Sequence, residues 1–123
     1  INFDSNGIMS AGITHVLGSN QIFVANTGIY TVMFSVTADN TNQFGLTING
    51  NSVAESVYGV QNFVPDGPAT IVQNTGFAIL PLTAGDFITV RNHSSSPGAV
   101  NLITLVGGIQ PNVNASVIIT RIV

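Results

Sequence analysis

The chain has 123 residues, 45% of them hydrophobic, and contains no cysteine, so it amounts to one domain held by a core rather than by disulfides or thiolate-bound metal. Only 6% of residues are charged, two Arg stand against five acids with no Lys, and the formal net charge is -3. Nucleic acid is excluded as a partner and anionic membrane surfaces are disfavoured, because both need clustered cations, and no apolar run approaches the roughly 18–20 residues of a spanning helix.

Apolar residues recur with a period of two, the spacing of strands. Gln21-Ile22-Phe23-Val24 reads as a short first strand, after a possible turn near residues 10–12, and Asn26-Thr27-Gly28 as the turn that follows. Residues 29–37 form the clearest strand: Tyr30, Val32, Phe34 and Val36 share one face, with Ile29, Thr31, Met33, Ser35 and Thr37 on the other. Residues 44–48 read as the next strand, and Asn49-Gly50 as a type I′ turn, which needs φ > 0 at both central positions. Residues 52–60 return antiparallel, and 61–68, with Pro65, Gly67 and Pro68, form a loop. Residues 69–80 supply a long strand, 81–86 a connection, 87–91 a strand and 92–98 a polar loop with three consecutive Ser. A strand over 100–106 ends at Gly107-Gly108, a turn covers 112–114, and 115–123 is the last strand.

About eight to ten short strands with frequent turn signals point to an all-β antiparallel sandwich or jelly roll, in a single domain spanning 1–123. Asn, Gln, Ser and Thr make up 41 of the 123 residues, so polarity comes from groups that do not repel one another between copies. A chain this apolar and this weakly charged is expected to bury more surface by self-association.

Three segments, taken together, resemble one superfamily. They are Gly28-Ile29-Tyr30 running into Thr31-Val32-Met33-Phe34-Ser35-Val36, then Leu80-Pro81-Leu82-Thr83-Ala84-Gly85-Asp86-Phe87-Ile88-Thr89-Val90, then Ala115-Ser116-Val117-Ile118-Ile119-Thr120-Arg121-Ile122-Val123. Their order and spacing resemble the tumour-necrosis-factor-like (TNF-like) jelly roll of complement globular heads. The set is most similar to the C-terminal domains of bacterial collagen-like spore-surface glycoproteins of the BclA type. The resemblance implies a homotrimer about a threefold axis that caps a collagen-like stalk at the exosporium, an extracellular position on the spore surface. Surface glycans or host proteins are the further partners such a tip would meet. The chain contains no Gly-x-y run and begins with Ile1 rather than Met, so the stalk is expected upstream, in a parent of which this is a fragment.

Tyr30, Phe34, Phe87 and Val90 are the candidate trimer-interface or core residues, since alternation says which side chains share a face but not which face meets the axis. Asn40, Asn42 and Asn92 stand in polar loops and are candidate ligand residues for a rival reading as a lectin or adhesin head; a phage fibre head of similar fold is a third. No Trp and only two Tyr are present, which leaves little for sugar stacking.

No enzyme is expected. His15 and His93 are far apart, each without a nearby acid, and Asp4, Asp39, Asp66 and Asp86 all sit in turn-like contexts where Asp accepts backbone hydrogen bonds. Asp39-Asn40-Thr41-Asn42 has alternating oxygen ligands as calcium loops do, but lacks the remaining acids; no cofactor and no metal are expected. Arg91 and Arg121, the only cations, each need a specific partner, and Asp86 is placed to serve one of them.

Overall fold

The computed structural model describes residues 1–61, 71–95 and 98–123. Most of the loop expected over 61–68, together with Asp66, Ala69, Thr70 and Ser96, lies outside them. The strands are β1 (Ile13–His15), β2 (Ile22–Val24), β3 (Gly28–Ala38), β4 (Asn42–Ile48), β5 (Asn51–Ser52), β6 (Tyr58–Val60), β7 (Val72–Leu82), β8 (Phe87–Asn92) and β9 (Ala115–Arg121). They form two sheets: one runs β1-β2-β8-β4, with β5 and β6 sharing the far side of β4, and the other runs β7-β3-β9. Every strand pair is antiparallel, as the expected all-β sandwich requires.

Burial follows the period of two. Tyr30, Val32, Phe34 and Val36 point from β3 into the space between the sheets and are almost completely buried. Phe44 and Leu46 from β4 and Ile88 and Val90 from β8 meet them from the other sheet. Burying side chains of this size contributes roughly 1.5–3 kcal/mol each, which is how a chain without disulfides holds together. At the β4–β5 hairpin Ile48 pairs with Asn51, and Asn49 (φ 53°) and Gly50 (φ 85°) both take positive φ, the geometry expected of Asn-Gly.

Several expected elements differ. The strand over 52–60 is broken by a single 3-10 turn at Ala54–Ser56. The buried Ser56 hydroxyl accepts the Leu46 N–H at 2.8 Å and donates to the Val53 carbonyl at 2.7 Å. It takes the place of a neighbouring strand, so the backbone of 54–56 is free to leave the ladder. Ser56→Ala would leave the Leu46 N–H unsatisfied in the core, and is expected to cost about 1–3 kcal/mol, measurable by urea denaturation.

No strand forms over 100–106. Only Leu102 bridges to Ala38, and Leu105 turns left-handed at φ 62°. The Asn112 side chain organises this excursion, donating to the Ile103 carbonyl at 3.0 Å and accepting the Val106 N–H at 2.7 Å. A side chain that satisfies the backbone locally competes with a ladder.

β7 runs two residues further than the expected strand, through Pro81 to Leu82. The Ile29 N–H donates to Val123 O, and the Ile29 carbonyl accepts from Ile122 N, so Ile29 faces β9. Its cross-strand partner Pro81 therefore points its nitrogen at the free edge of the sheet, where a missing N–H breaks no bond. β1 was not expected. It pairs with β2 through Ile13↔Val24 to His15↔Ile22.

Candidate assembly surface

With Tyr30, Val32, Phe34 and Val36 turned inward, the alternate residues of the β7-β3-β9 sheet form its outer face. Register places them in rows. Phe77, Met33 and Ile118 stand side by side across the three strands, flanked on one side by Ile79, Thr31 and Thr120 and on the other by Thr75, Ser35 and Ser116. Met33 is 40% exposed, Phe77 55%, Ile118 61% and Ile79 64%. The middle of the face is thus apolar and open, and a row dominated by hydroxyls borders it, where Gln73 Nε2 donates to Ser35 Oγ at 2.9 Å. β3 and β7 contain no charged residue and β9 only Arg121. Contiguous apolar surface of this kind marks interaction sites.

Tyr58 buttresses the edge of this face. Its ring lies 5.8 Å from Phe77 and, edge-on, 6.4 Å from Phe34. Gly76 lies opposite Phe34 in the register and leaves room for both rings. Its importance has no signature in the sequence, because a Gly inside a strand pattern does not reveal which rings will cover it.

The structure places Tyr30, Phe34 and Val90 in the chain's own core. Tyr30 also closes the turn before β3, its hydroxyl donating to the Asn26 carbonyl at 2.7 Å. Phe87 stands apart, half-buried on the other sheet. None of the four lies on the open face, which is made by the opposite set of β3 residues.

The loop amides are engaged by their own backbone and by one another. Asn42 is buried, donates to the Asn40 carbonyl at 2.8 Å and accepts from Asn74 at 3.0 Å. Asn40 Oδ1 accepts the Thr41 N–H. Asn92 donates to the Gly98 carbonyl and accepts the Ser94 N–H. These side chains hold their loops in shape.

The two histidines stand apart. The His15 ring meets Asn6 Oδ1 at 2.6 Å and the Ser19 carbonyl at 2.9 Å, while His93 has only a 3.5 Å contact with Ser52. Among the described residues, no three His, Asp or Glu side chains converge as a metal site would need.

Asp86 does not pair with either Arg. It accepts the Thr83 N–H and the Asn49 amide, both at 2.8 Å, while Arg121 donates to the Thr27 carbonyl at 2.8 Å. The Thr83 N–H first, and Asn49 second, hold the Asp86 carboxyl below its usual range; the Asn101 N–H and then its amide do the same for Asp39. A depressed folded-state pKa contributes stability that is present above the unfolded value, about 3.9, and is lost as pH falls through the folded one. The contribution of these two carboxylates to thermal stability is therefore expected to be constant above about pH 5 and to be lost below about pH 4. Asp39→Asn with Asp86→Asn should reduce that loss, as read by melting curves across the acid range.

No protein-family model and no curated protein matches this chain. Solved structures do. The structure of Eiger TNF from S. frugiperda superposes with a TM-score of 0.63 at 17% identity, covering 90% of this chain and 69% of that one. The globular domain of zebrafish complement 1qA superposes at 0.59 with 15% identity, covering 77% and 73%. The fold is thus the TNF-like antiparallel jelly roll that the sequence resembles.

Proposed function

We propose that this chain is the trimeric head of a bacterial collagen-like surface glycoprotein, at an extracellular position on the exosporium of a spore, and that it assembles by burial rather than by chemistry. The observation that carries the reading is the open face of β7-β3-β9, with Met33 between Phe77 and Ile118 and no charge on β3 or β7. Three such faces brought to one axis remove apolar surface from water, worth about 25 cal/mol per Å². A closed threefold arrangement then leaves no unsatisfied copy of the surface, and growth stops. The absence of charge matters most at an axis, where every residue meets its own copies.

The three sequence segments that resemble spore-surface heads support the finer identity, and the TNF-like fold is compatible with it. In such a protein the head would hold three chains in register so that upstream Gly-x-y repeats can wind, since registration is the costly step in forming a triple helix. The head itself is read as non-catalytic.

Light scattering over a dilution series tests the assembly. A mass near three times 12.8 kDa that persists on dilution is the expected result, and a stable monomer would remove the mechanism. A fusion carrying Gly-Pro-Pro repeats upstream of residue 1 tests the role: the head should speed triple-helix refolding, followed by circular dichroism, over the same repeats alone.

A further inference from the structure

The other sheet carries a second set of surface groups, apart from the proposed assembly face. Ile22 and Val24 on β2 and Ile88 and Val90 on β8 fill the core. Alternation therefore puts Phe23, Phe87, Thr89 and Arg91 on the opposite face, where Phe23 and Arg91 are exposed and Phe87 is half-buried, while Thr89 is buried with its hydroxyl on that of Thr47. Phe23 and Phe87 are a cross-strand pair with ring centroids 5.5 Å apart, and Phe23 stays 39% exposed. Arg91 stands four residues along β8 from Phe87, about 13 Å away. A cleft of about 290 Å³ runs beside this stripe, and Asn20, Gln21, Phe87, Thr89 and Arg91 are among the residues lining it.

Thr89 is engaged by Thr47 and Asn92 by Gly98 and Ser94, but the cleft's guanidinium and its other two amides are uncommitted among the described residues. Arg121, the chain's other cation, is held on the Thr27 carbonyl. Arg91 is exposed, and among the described residues its guanidinium makes no hydrogen bond or ion pair. The side-chain amides of Asn20 and Gln21 are equally free among the described residues, in contrast to the hydrogen-bonded amides of Asn40, Asn42 and Asn92.

We propose that this cleft binds a short, carboxylate-bearing oligosaccharide. Phe87, which lines the cleft, and Phe23, which packs beside it at the cleft's edge, offer an apolar platform for the C–H face of a sugar ring. Asn20 and Gln21 each present donors and an acceptor to hydroxyls. Arg91 takes the carboxylate in the bidentate geometry that guanidinium favours. A stripe of this length suits an oligosaccharide better than a single sugar. One guanidinium matches a single carboxylate, not the phosphate ladder of a nucleic acid. Because the cleft and the assembly face lie on different sheets, binding is expected whether or not the chain forms a trimer.

The test is calorimetric titration of the intact chain with trigalacturonate, its methyl ester and 3′-sialyllactose. At least one of the two acids is expected to bind saturably, with the ester about tenfold weaker than trigalacturonate or worse. Arg91→Gln should weaken acid binding about tenfold or more and abolish the preference over the ester. Phe23→Ser should weaken the acids and the ester alike. Circular dichroism of both variants confirms that each still folds. No saturable binding of either acid, or an Arg91→Gln variant that binds as the parent does, overturns the proposal.

Discussion

Met33→Glu is expected to leave the jelly roll folded and to convert the assembly to monomer. In the single chain Met33 is 40% exposed, so a carboxylate there remains in water and costs the monomer little. In the proposed trimer the same carboxylate would sit at the centre of the apolar row between Phe77 and Ile118, repeated in every copy. Removing an unpaired charge from water costs several kcal/mol per ion even after relaxation, and three like charges near one axis add repulsion. Light scattering reads the mass and circular dichroism the fold. Met33→Leu, which keeps volume and polarity, should remain a trimer. A Met33→Glu variant that still scatters as a trimer would show that another surface carries the assembly.

Gly76→Ala is expected to cost about 3 kcal/mol, a large effect for adding one methyl group. A Cβ at this position would stand 2.5 Å from Phe34 Cζ, 2.5 Å from Tyr58 Cδ2 and 2.7 Å from Phe34 Cε1. Both rings would have to move. Phe34 is fixed in the core, and Tyr58 is held against Phe77 with its hydroxyl 3.3 Å from the Phe77 carbonyl. In an ordinary strand position alanine would be the better residue, because glycine gives up more conformational freedom on folding. Urea denaturation of the single variants and of Gly76→Ala with Phe34→Leu makes the argument quantitative. Phe34→Leu alone should destabilise, and the double variant should be more stable than the two separate losses predict, because the shorter side chain vacates the space the methyl needs. Additive losses would mean that the rings yield without strain.

The strands that alternate cleanly were legible in the sequence. β3 has nine alternating residues after a turn, and its core face is the set Tyr30, Val32, Phe34 and Val36 that the period of two assigns. The Asn49-Gly50 hairpin was equally legible, since few residues tolerate two consecutive positive φ values. Side chains overrode the pattern elsewhere. The Ser56 hydroxyl replaced a strand neighbour and broke 52–60, and the Asn112 amide drew 103–106 into a loop although Ile103, Leu105 and Val106 are apolar. Both effects depend on a partner distant in sequence or on a local fold-back that hydrophobic spacing does not encode.

For the site, the sequence separated the two faces of β3 but not their roles. Of the residues singled out as interface or core, Tyr30, Phe34 and Val90 line the core, and the open face belongs to Met33 with Phe77 and Ile118. Deciding between faces needs the second sheet in place, because either face of an alternating strand can be the covered one. The Phe23–Phe87 pair was hidden for a related reason: 64 residues separate the two in the chain, and only the β2–β8 register brings them together.

A second copy that tried to extend the β7-β3-β9 sheet past β7 would meet Pro81. Exposed strand edges are templates for fibrils, and many proteins blunt them with lysine, which is absent here. On β7 the blunting is done by a ring and a missing donor, so an incoming strand finds a gap in the ladder and a steric obstacle beside Leu82. Edge-to-edge addition has no natural end, whereas packing through sheet faces can close on itself. A proline at this position thus tilts the competition between a fibre and a finite particle without adding any charge.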